Sequence, residues 1–203
     1  MRGLVIGTTN PAKARQCELA LRGTGIRTLP LLEVLPDPPP VREGARDAPA
    51  DAARKAQRYS ELLARAVISL DFALVLDGVA EERQPGVDVR RIPGVEGRAG
   101  DEKLVDHYSR LVASCGGRVS GRWEAGAAVA APGGALAAAS IFLRRTFVAE
   151  PSPIRIPGYP LASLQLADDG RYLSELDAEE EERHWQRTLR VPLRELAETA
   201  LAA

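Results

Sequence analysis

The sequence has few aromatic residues, few cysteines and no long hydrophobic run, and each shortage excludes a class of protein. Only 4% of the 203 residues are aromatic, so a core must be built mainly from Leu, Val, Ile and Ala. Cys17 and Cys115 form no CxxC pair and have no His cluster near them, which argues against a disulfide framework or a zinc site. We expect both to be reduced core residues. No apolar run approaches the ~20 residues of a membrane span, so we expect a cytoplasmic protein without a membrane partner.

Basic and acidic residues are nearly equal in number, which argues against a general nucleic-acid binder. The chain has 27 Lys and Arg against 28 Asp and Glu, a net charge of −1. Neutralising a phosphate backbone requires a basic excess, whereas a small phosphorylated ligand requires only a few local cations. The length predicts one domain, or one domain of two lobes around a cleft.

Strand and helix patterns alternate in the first half of the chain, and strands pair in the second half. Apolar runs predict strands at residues 3–7, 26–32, 66–76, 119–131, 135–148 and 161–166. Helices are predicted after Asn10, over 47–66 and 104–112, and over 175–201 with Pro192 as a point where the helix could break. Residues 79–100 and 151–160 are predicted to be loops. This order predicts an α/β protein with a mixed sheet and helices packed on it.

The first candidate site is the turn Thr8-Thr9-Asn10-Pro11-Ala12-Lys13, which follows a strand and begins a helix. Backbone N–H groups and the helix dipole favour an anion at such a turn, and the polar side chains add donors. The alternative is an N-capped helix with a solvated lysine. The turn is not a Walker A loop, since GxxxxGK is absent.

Two acidic residues are further candidates. Glu43 follows a proline-rich connector, and Asp77 precedes Gly78 at the end of a predicted strand. The carboxyl end of a strand is where α/β proteins bind ligands. The alternatives are a solvated loop acid and an ordinary Asp-Gly turn.

These segments resemble, in order and spacing, the motifs of the inosine-triphosphate pyrophosphatase family. Thr8, Asn10 and Lys13 match its T/S-x-N-x-x-K turn. Glu43 and Lys55 fall on the first glutamate and the last lysine of its E-x-G-x-T-F-x-E-N-A-x-x-K-A segment.

The later motifs of the family match less completely. Asp77 aligns with an aspartate of A-D-D-S-G-L, and Gly158-Tyr159 with part of G-F-G-Y-D-P. Residues 174–187 align without a gap with A-E-L-x-x-E-E-K-x-x-x-S-H-R. The departures are Pro157, Pro160, Glu181, Trp185 and Gln186, which replace the family's Phe, Asp, Lys, Ser and His.

The resemblance implies an inosine-triphosphate-pyrophosphatase-like α/β fold, with an elongated central mixed sheet, flanking helices and two lobes around a nucleotide cleft, in a homodimer. It implies hydrolysis of non-standard purine nucleoside triphosphates to the monophosphate and pyrophosphate. Asp77 and Lys13 would be catalytic, and Glu43 and Asp77 would hold Mg²⁺. The substrate would be bound by Thr8, Thr9, Asn10, Lys13, Lys55, Gly158, Tyr159, Trp185 and Arg187. The departures predict an altered base preference. The alternative is a repurposed relative that binds a nucleotide or a protein, with Trp185 packed in the core.

Overall fold

The computed structural model describes residues 3–41 and 47–202, which form five α-helices and six strands. The helices are α1 (Pro11–Leu21), α2 (Leu31–Val34), α3 (Ala48–Leu63), α4 (Asp101–Ser114) and α5 (Ala178–Ala202). The strands are β1 (Gly3–Ile6), β2 (Arg27–Pro30), β3 (Val67–Leu76), β4 (Arg118–Ala130), β5 (Leu136–Val148) and β6 (Gln165–Leu166). The predicted α/β fold with a mixed sheet and flanking helices is confirmed.

All six strands belong to one sheet in the order β2-β1-β3-β4-β5-β6. β1 runs parallel to β2 and to β3, with Val5 opposite Val67, whereas β5 runs antiparallel to β6. The connection between β4 and β5 is only residues 131–135, so this pair must be an antiparallel hairpin. The Pro132-Gly133-Gly134 segment supplies its turn, as the sequence predicts.

The chain divides into two compact units. The first comprises Met1–Phe72, Ala125–Ile141 and Glu182–Ala203, and the second comprises Ala73–Glu124 and Phe142–Glu181. Strands β3, β4 and β5 therefore contribute residues to both units. The single two-lobed domain around a nucleotide cleft stays a prediction.

Small residues allow close packing in the first unit. Ala52 and Ala56 of α3 pack against Ala128 and Ala130 of β4 in one buried cluster. At Gly126 the approach is closer still, because a Cβ there would lie 2.1 Å from a backbone carbon of α3. The scarcity of aromatic residues is thus compensated by helix-to-strand contacts that only Gly and Ala permit.

Three predictions about local structure need correction. The predicted strand at 161–166 is a 3-10 turn over Pro160–Leu164, followed by the two-residue β6. The last helix begins at residue 178 rather than 175, because Asp177 Oδ1 accepts the N–H groups of Glu179 and Glu180. That helix continues through Pro192.

The two cysteines occupy different environments. Cys17 is fully buried, as expected of a core residue, and burial raises the pKa of its thiol to about 12, despite the opposing charge of Lys13. Cys115 is only half-buried at the end of α4, so the expectation of a core residue is wrong there. Within the described residues, no helix combines the length and the apolar character needed to cross a membrane.

Candidate functional site

The turn between β1 and α1 is held by its own polar side chains. Asn10 is the N-cap of α1, and its Oδ1 accepts the backbone N–H groups of Ala12 (2.9 Å) and Lys13 (3.2 Å). The backbone N–H of Asn10 donates to Thr8 Oγ1 over 3.1 Å. These contacts are those of the N-capped alternative, while Thr9 is exposed beside them. The turn therefore fixes where Lys13 leaves the helix.

Lys13 and Lys55 both reach the same carboxylate, that of Asp71 in β3. Lys13 Nζ lies 2.8 Å from Asp71 Oδ1, and Lys55 Nζ lies 3.3 Å from Asp71 Oδ2. The side chains are 21%, 12% and 14% exposed, in the order Lys13, Lys55 and Asp71. These three residues, all in the first unit, are called the Lys–Asp–Lys cluster.

Asp71 stays ionised in this environment. Burial raises the pKa of its carboxyl group, but the charges of Lys13 and Lys55 and their hydrogen bonds outweigh burial, so the pKa lies below its ordinary value. The three groups then carry one net positive charge.

Phe72 adds an apolar contact to the same lysine, since Lys13 Nζ lies 5.3 Å from the centre of its ring. A cation over an aromatic face is attracted by the ring quadrupole. The Lys13 ammonium is thus fixed by the helix from which it projects, by Asp71 and by Phe72.

Asp77, the predicted catalytic and metal-binding residue, lies in the second unit. It is exposed at the turn after β3, where its backbone N–H donates to Ser120 O over 2.8 Å. It lines a cavity of about 580 Å³ together with Arg83, Cys115 and Arg118. The contacts of Lys13 and Lys55 are made with Asp71, six residues earlier in the chain.

Gly158 and Tyr159 also lie in the second unit. Gly158 has a φ of 81°, and its N–H donates to Asp101 Oδ2 over 3.0 Å. The Tyr159 hydroxyl donates to Gln165 Oε1, which also accepts Trp123 Nε1–H. Burial raises the pKa of the Tyr159 hydroxyl, against the lowering effect of nearby Arg145. The segment is therefore anchored by buried polar contacts.

Trp185 and Arg187 lie on α5 in the first unit. Trp185 is 4% exposed, and its ring packs edge-on against His184 at 4.8 Å between centroids. Arg187 is exposed. The burial of Trp185 supports the core alternative over a role in stacking on a base.

The pairing of the two predicted magnesium ligands stays a prediction. Glu43 lies outside the described residues, and Asp77 belongs to the second unit. In residues 3–41 and 47–202, no group of three or more His, Cys, Asp or Glu side chains could hold a metal ion. Both carboxylate oxygens of Asp71 already contact ammonium groups. The described residues therefore do not form a magnesium site.

Three solved structures resemble the whole chain. The first is the nucleoside-triphosphatase, or dITP/XTP pyrophosphatase, from Mycobacterium abscessus (21% identity, 98% of each chain covered, TM-score 0.64). The second is the Ham1 protein from Staphylococcus aureus (16% identity, 97% of this chain and 99% of that chain, TM-score 0.68). The third is a HAM1 protein from Coxiella burnetii (18% identity, 100% of each chain, TM-score 0.67).

The chain has the fold of these three proteins. The resemblance seen in the sequence motifs therefore holds at the level of the fold, and identities of 16–21% establish no more than that. Sequence comparisons alone find no matching family model and no matching curated protein.

Asp71 and Phe72 are the site residues that the sequence reading misses. A signal was present, because Asp71 is the one charged residue of the apolar strand Val67–Leu76. A charge at such a position is costly unless it is paired. The signal indicates that Asp71 has a partner, but it does not identify Lys13 and Lys55, because the chain also contains many arginines.

Proposed function

We propose that this chain hydrolyses nucleoside triphosphates to the nucleoside monophosphate and pyrophosphate. The observation that carries the proposal is the Lys–Asp–Lys cluster, in which the turn after β1 places Lys13 beside a half-buried, ionised carboxylate. Support comes from the whole-chain likeness to a structure named as a dITP/XTP pyrophosphatase.

In this reaction a water oxygen forms a bond to the α-phosphorus, and the bond from that phosphorus to the oxygen bridging to the β-phosphate breaks. Pyrophosphate leaves, and the proton of the water passes to a base or to solvent. Charge on the phosphate oxygens must be neutralised as the bond breaks, and preorganised cations supply this most effectively. Lys13 and Lys55 are the cations of the cluster, and an ammonium group donates to a phosphate oxygen as it does to a carboxylate oxygen.

Asp71 acts in this scheme by holding the two lysines rather than by accepting the proton. A general base is most effective when its pKa is near the working pH, whereas the lysines keep the pKa of Asp71 low. Asp77 remains the catalytic residue that the family resemblance proposes. The two assignments are separable by mutation.

The proposal that magnesium takes part in the reaction rests only on the resemblance of the sequence motifs. The metal's ligands would be Glu43 and Asp77, and no step is assigned to the metal because the described residues form no site for it. Pyrophosphate release that continues in excess EDTA would remove magnesium from the proposal.

The departures from the family motifs favour a changed base preference. Glu181 stands where the family has lysine, which reverses the charge close to the residues aligned with base recognition. The homodimer and the cytoplasmic location rest on the resemblance and the composition.

The second candidate is a protein that binds a nucleotide without cleaving it. The observation that favours it is that both oxygens of Asp71 contact lysines, while the described residues hold no metal cluster. A cluster of this kind can hold a phosphate without activating water.

The deciding experiment measures pyrophosphate release by purified protein with Mg²⁺ and a panel that includes ITP, XTP, ATP and GTP. Lys13→Gln and Lys55→Gln should lower turnover by at least about tenfold, the effect of losing about 1.4 kcal/mol of transition-state stabilisation. Lys103→Gln, on the exposed surface of α4, is the matched control. Unchanged turnover in both cluster variants would reject the role of the cluster.

Comparing Asp71→Asn with Asp77→Asn separates the two carboxylates. If only Asp71→Asn abolishes pyrophosphate release, the Lys–Asp–Lys cluster carries the activity. If only Asp77→Asn abolishes it, the activity depends on the aspartate that aligns with the family motif. Nucleotide binding without release from any substrate would establish the second candidate function. Neither binding nor release, by folded protein, would reject both.

A further inference from the structure

The part of the β4–β5 hairpin that belongs to the second unit has one exposed side, and that side carries arginine. Along β4, Arg118, Ser120 and Arg122 are exposed while the residues between them are buried, and along β5, Phe142 and Arg144 are exposed on either side of buried Leu143. Alternate residues of a strand lie on the same face. Arg118, Arg122, Phe142 and Arg144 are called the arginine face.

The hairpin register places two of these arginines directly opposite each other. Ala149 N donates to Gly117 O, and counting along both strands from this pair brings Arg122 opposite Arg144. Because hydrogen-bonded and non-hydrogen-bonded pairs alternate, this is a non-hydrogen-bonded pair, in which side chains lie closest. Like charges at such a position are destabilising.

No acidic side chain of the described residues compensates these charges by an ion pair. Arg118, Arg122 and Arg144 form no salt bridge within residues 3–41 and 47–202. The guanidinium carbon of Arg122 lies 6.0 Å from the ring centre of Phe142, whose side chain is 60% exposed. The face thus combines an aromatic ring open to solvent with arginines that form no salt bridge among the described residues.

The cavity that Asp77 lines continues this positive region, because Arg118 belongs to both. Arg83 lines the same cavity. Burial lowers the pKa of His107, and the charges of Arg110 and Arg83 lower it further. Acidic groups also lie in this region: Asp77 lines the cavity, Glu81 and Glu82 directly precede Arg83, and half-buried Glu124 follows Arg122 on the same face of β4. The excess of positive charge is therefore confined to the arginine face, where three arginines outnumber Glu124.

We propose that the arginine face and the adjoining cavity bind a single-stranded nucleic acid. Guanidinium groups hold phosphates by paired, charge-assisted hydrogen bonds, and an exposed aromatic ring stacks on an unpaired base irrespective of its identity. This departs from the expectation drawn from net charge alone. It does not depend on the proposed hydrolysis, whose cluster lies in the first unit.

Phe142 favours this ligand over an acidic peptide, because a carboxylate-rich segment has no flat ring to stack on it. A duplex is less suitable, since its bases are already stacked. A second copy of the chain, docked by the same face, would bring arginines against arginines, which like-charge repulsion opposes.

The test measures fluorescence anisotropy of a labelled 12-nucleotide oligo(dT) with the full chain at low and moderate salt. Wild-type binding should weaken steeply as salt rises, since phosphate contacts release counterions. Arg122→Glu with Arg144→Glu should weaken binding at least about tenfold and flatten the salt dependence. Phe142→Ala should weaken it about five- to a hundredfold at an unchanged salt slope, the range expected for loss of one stacked base.

The matched control is Arg27→Glu with Arg65→Glu, which makes the same charge change on two exposed arginines of the first unit. Absence of binding at low salt, or equal weakening by control and face variants, would overturn the proposal. So would competition by poly-glutamate as effective as by unlabelled oligonucleotide, which would indicate an acidic-peptide surface. A self-associated wild type that Arg122→Glu with Arg144→Glu converts to monomer in sedimentation would show an interface between copies and overturn it as well.

Discussion

Replacing Asp71 by Asn removes the charge that holds the two lysines and leaves the shape of the side chain. Lys13 and Lys55 then keep two positive charges within hydrogen-bond distance of one amide, which can accept but no longer neutralises them. Their side chains are only 21% and 12% exposed, so water compensates the loss incompletely. We therefore expect a folded protein of reduced stability.

The expected loss of stability in Asp71→Asn depends on how deeply the cluster is buried. Removing one partner of a fully buried ion pair costs about 3–5 kcal/mol. Because the cluster keeps some contact with solvent, we expect about 2–3 kcal/mol for Asp71→Asn. For a chain of this length this corresponds to a Tm lower by about 4–12 °C.

The pH dependence gives an independent check on the cause. The pKa of Asp71 is lower in the folded protein than its ordinary value of 3.8. The stabilisation of the folded state by ionised Asp71 is therefore complete above the ordinary pKa, and it is lost as the pH falls through the pKa of the folded protein. The difference in stability between wild type and Asp71→Asn should be constant from about pH 5 to pH 8 and should narrow below about pH 4.

Urea unfolding followed by circular dichroism at several pH values measures both quantities. Asp88→Asn is the matched control, since it removes the charge from an exposed pair with Arg91 at 3.3 Å and should change stability too little to measure. An Asp71→Asn protein as stable as the control at pH 7, or a difference that does not narrow in acid, would refute the reasoning.

The other predictions concern packing, capping and a titrating group. Gly126→Ala should lower the free energy of unfolding by about 1–3 kcal/mol, because the new Cβ falls 2.1 Å from a backbone carbon. Gly3→Ala, whose Cβ would meet only Arg27 O at 3.7 Å, should be nearly neutral in the same urea titration. Asn10→Ala should cost about 1 kcal/mol through the lost cap of α1, measured by thermal unfolding against Asn10→Ser, which restores most of it. His107 should titrate below its ordinary pKa of 6.5 in NMR, and Arg110→Gln should raise that pKa; no movement would exclude the arginine as a cause.

Local patterns predicted the fold well where a structure depends on neighbouring residues. Asn10 caps α1, and the Pro-Gly-Gly segment joins two long strands, because both signals act within a few positions. The predicted strand at 161–166 was wrong for the opposite reason. There Ser163 Oγ–H donates to Pro160 O and Gln165 Nε2–H donates to Leu161 O, so side chains fold an apolar run into a 3-10 turn.

The candidate site was only partly accessible to such reasoning. Lys13 and Lys55 emerge from the motif alignment, but the carboxylate that joins them lies 58 positions after Lys13 in the chain. Periodicity assigns Asp71 to a strand without indicating its partner. The contact is created by the parallel pairing of β1 with β3, which places the turn after β1 beside the middle of β3. Long-range pairing of this kind has no signature in a single sequence.

The choice of lysine at the cluster carries information because this chain otherwise uses arginine. Of 27 basic residues only three are lysines, and two of them contact Asp71. A guanidinium is a planar fork that would take both oxygens of one carboxylate, whereas an ammonium is compact and directs three N–H groups in different directions. Two ammonium groups can therefore share the two oxygens of Asp71, one oxygen each. Lysine at both positions, in a composition that strongly favours arginine, fits a carboxylate shared by two cations, because one guanidinium in the bidentate geometry would occupy both oxygens.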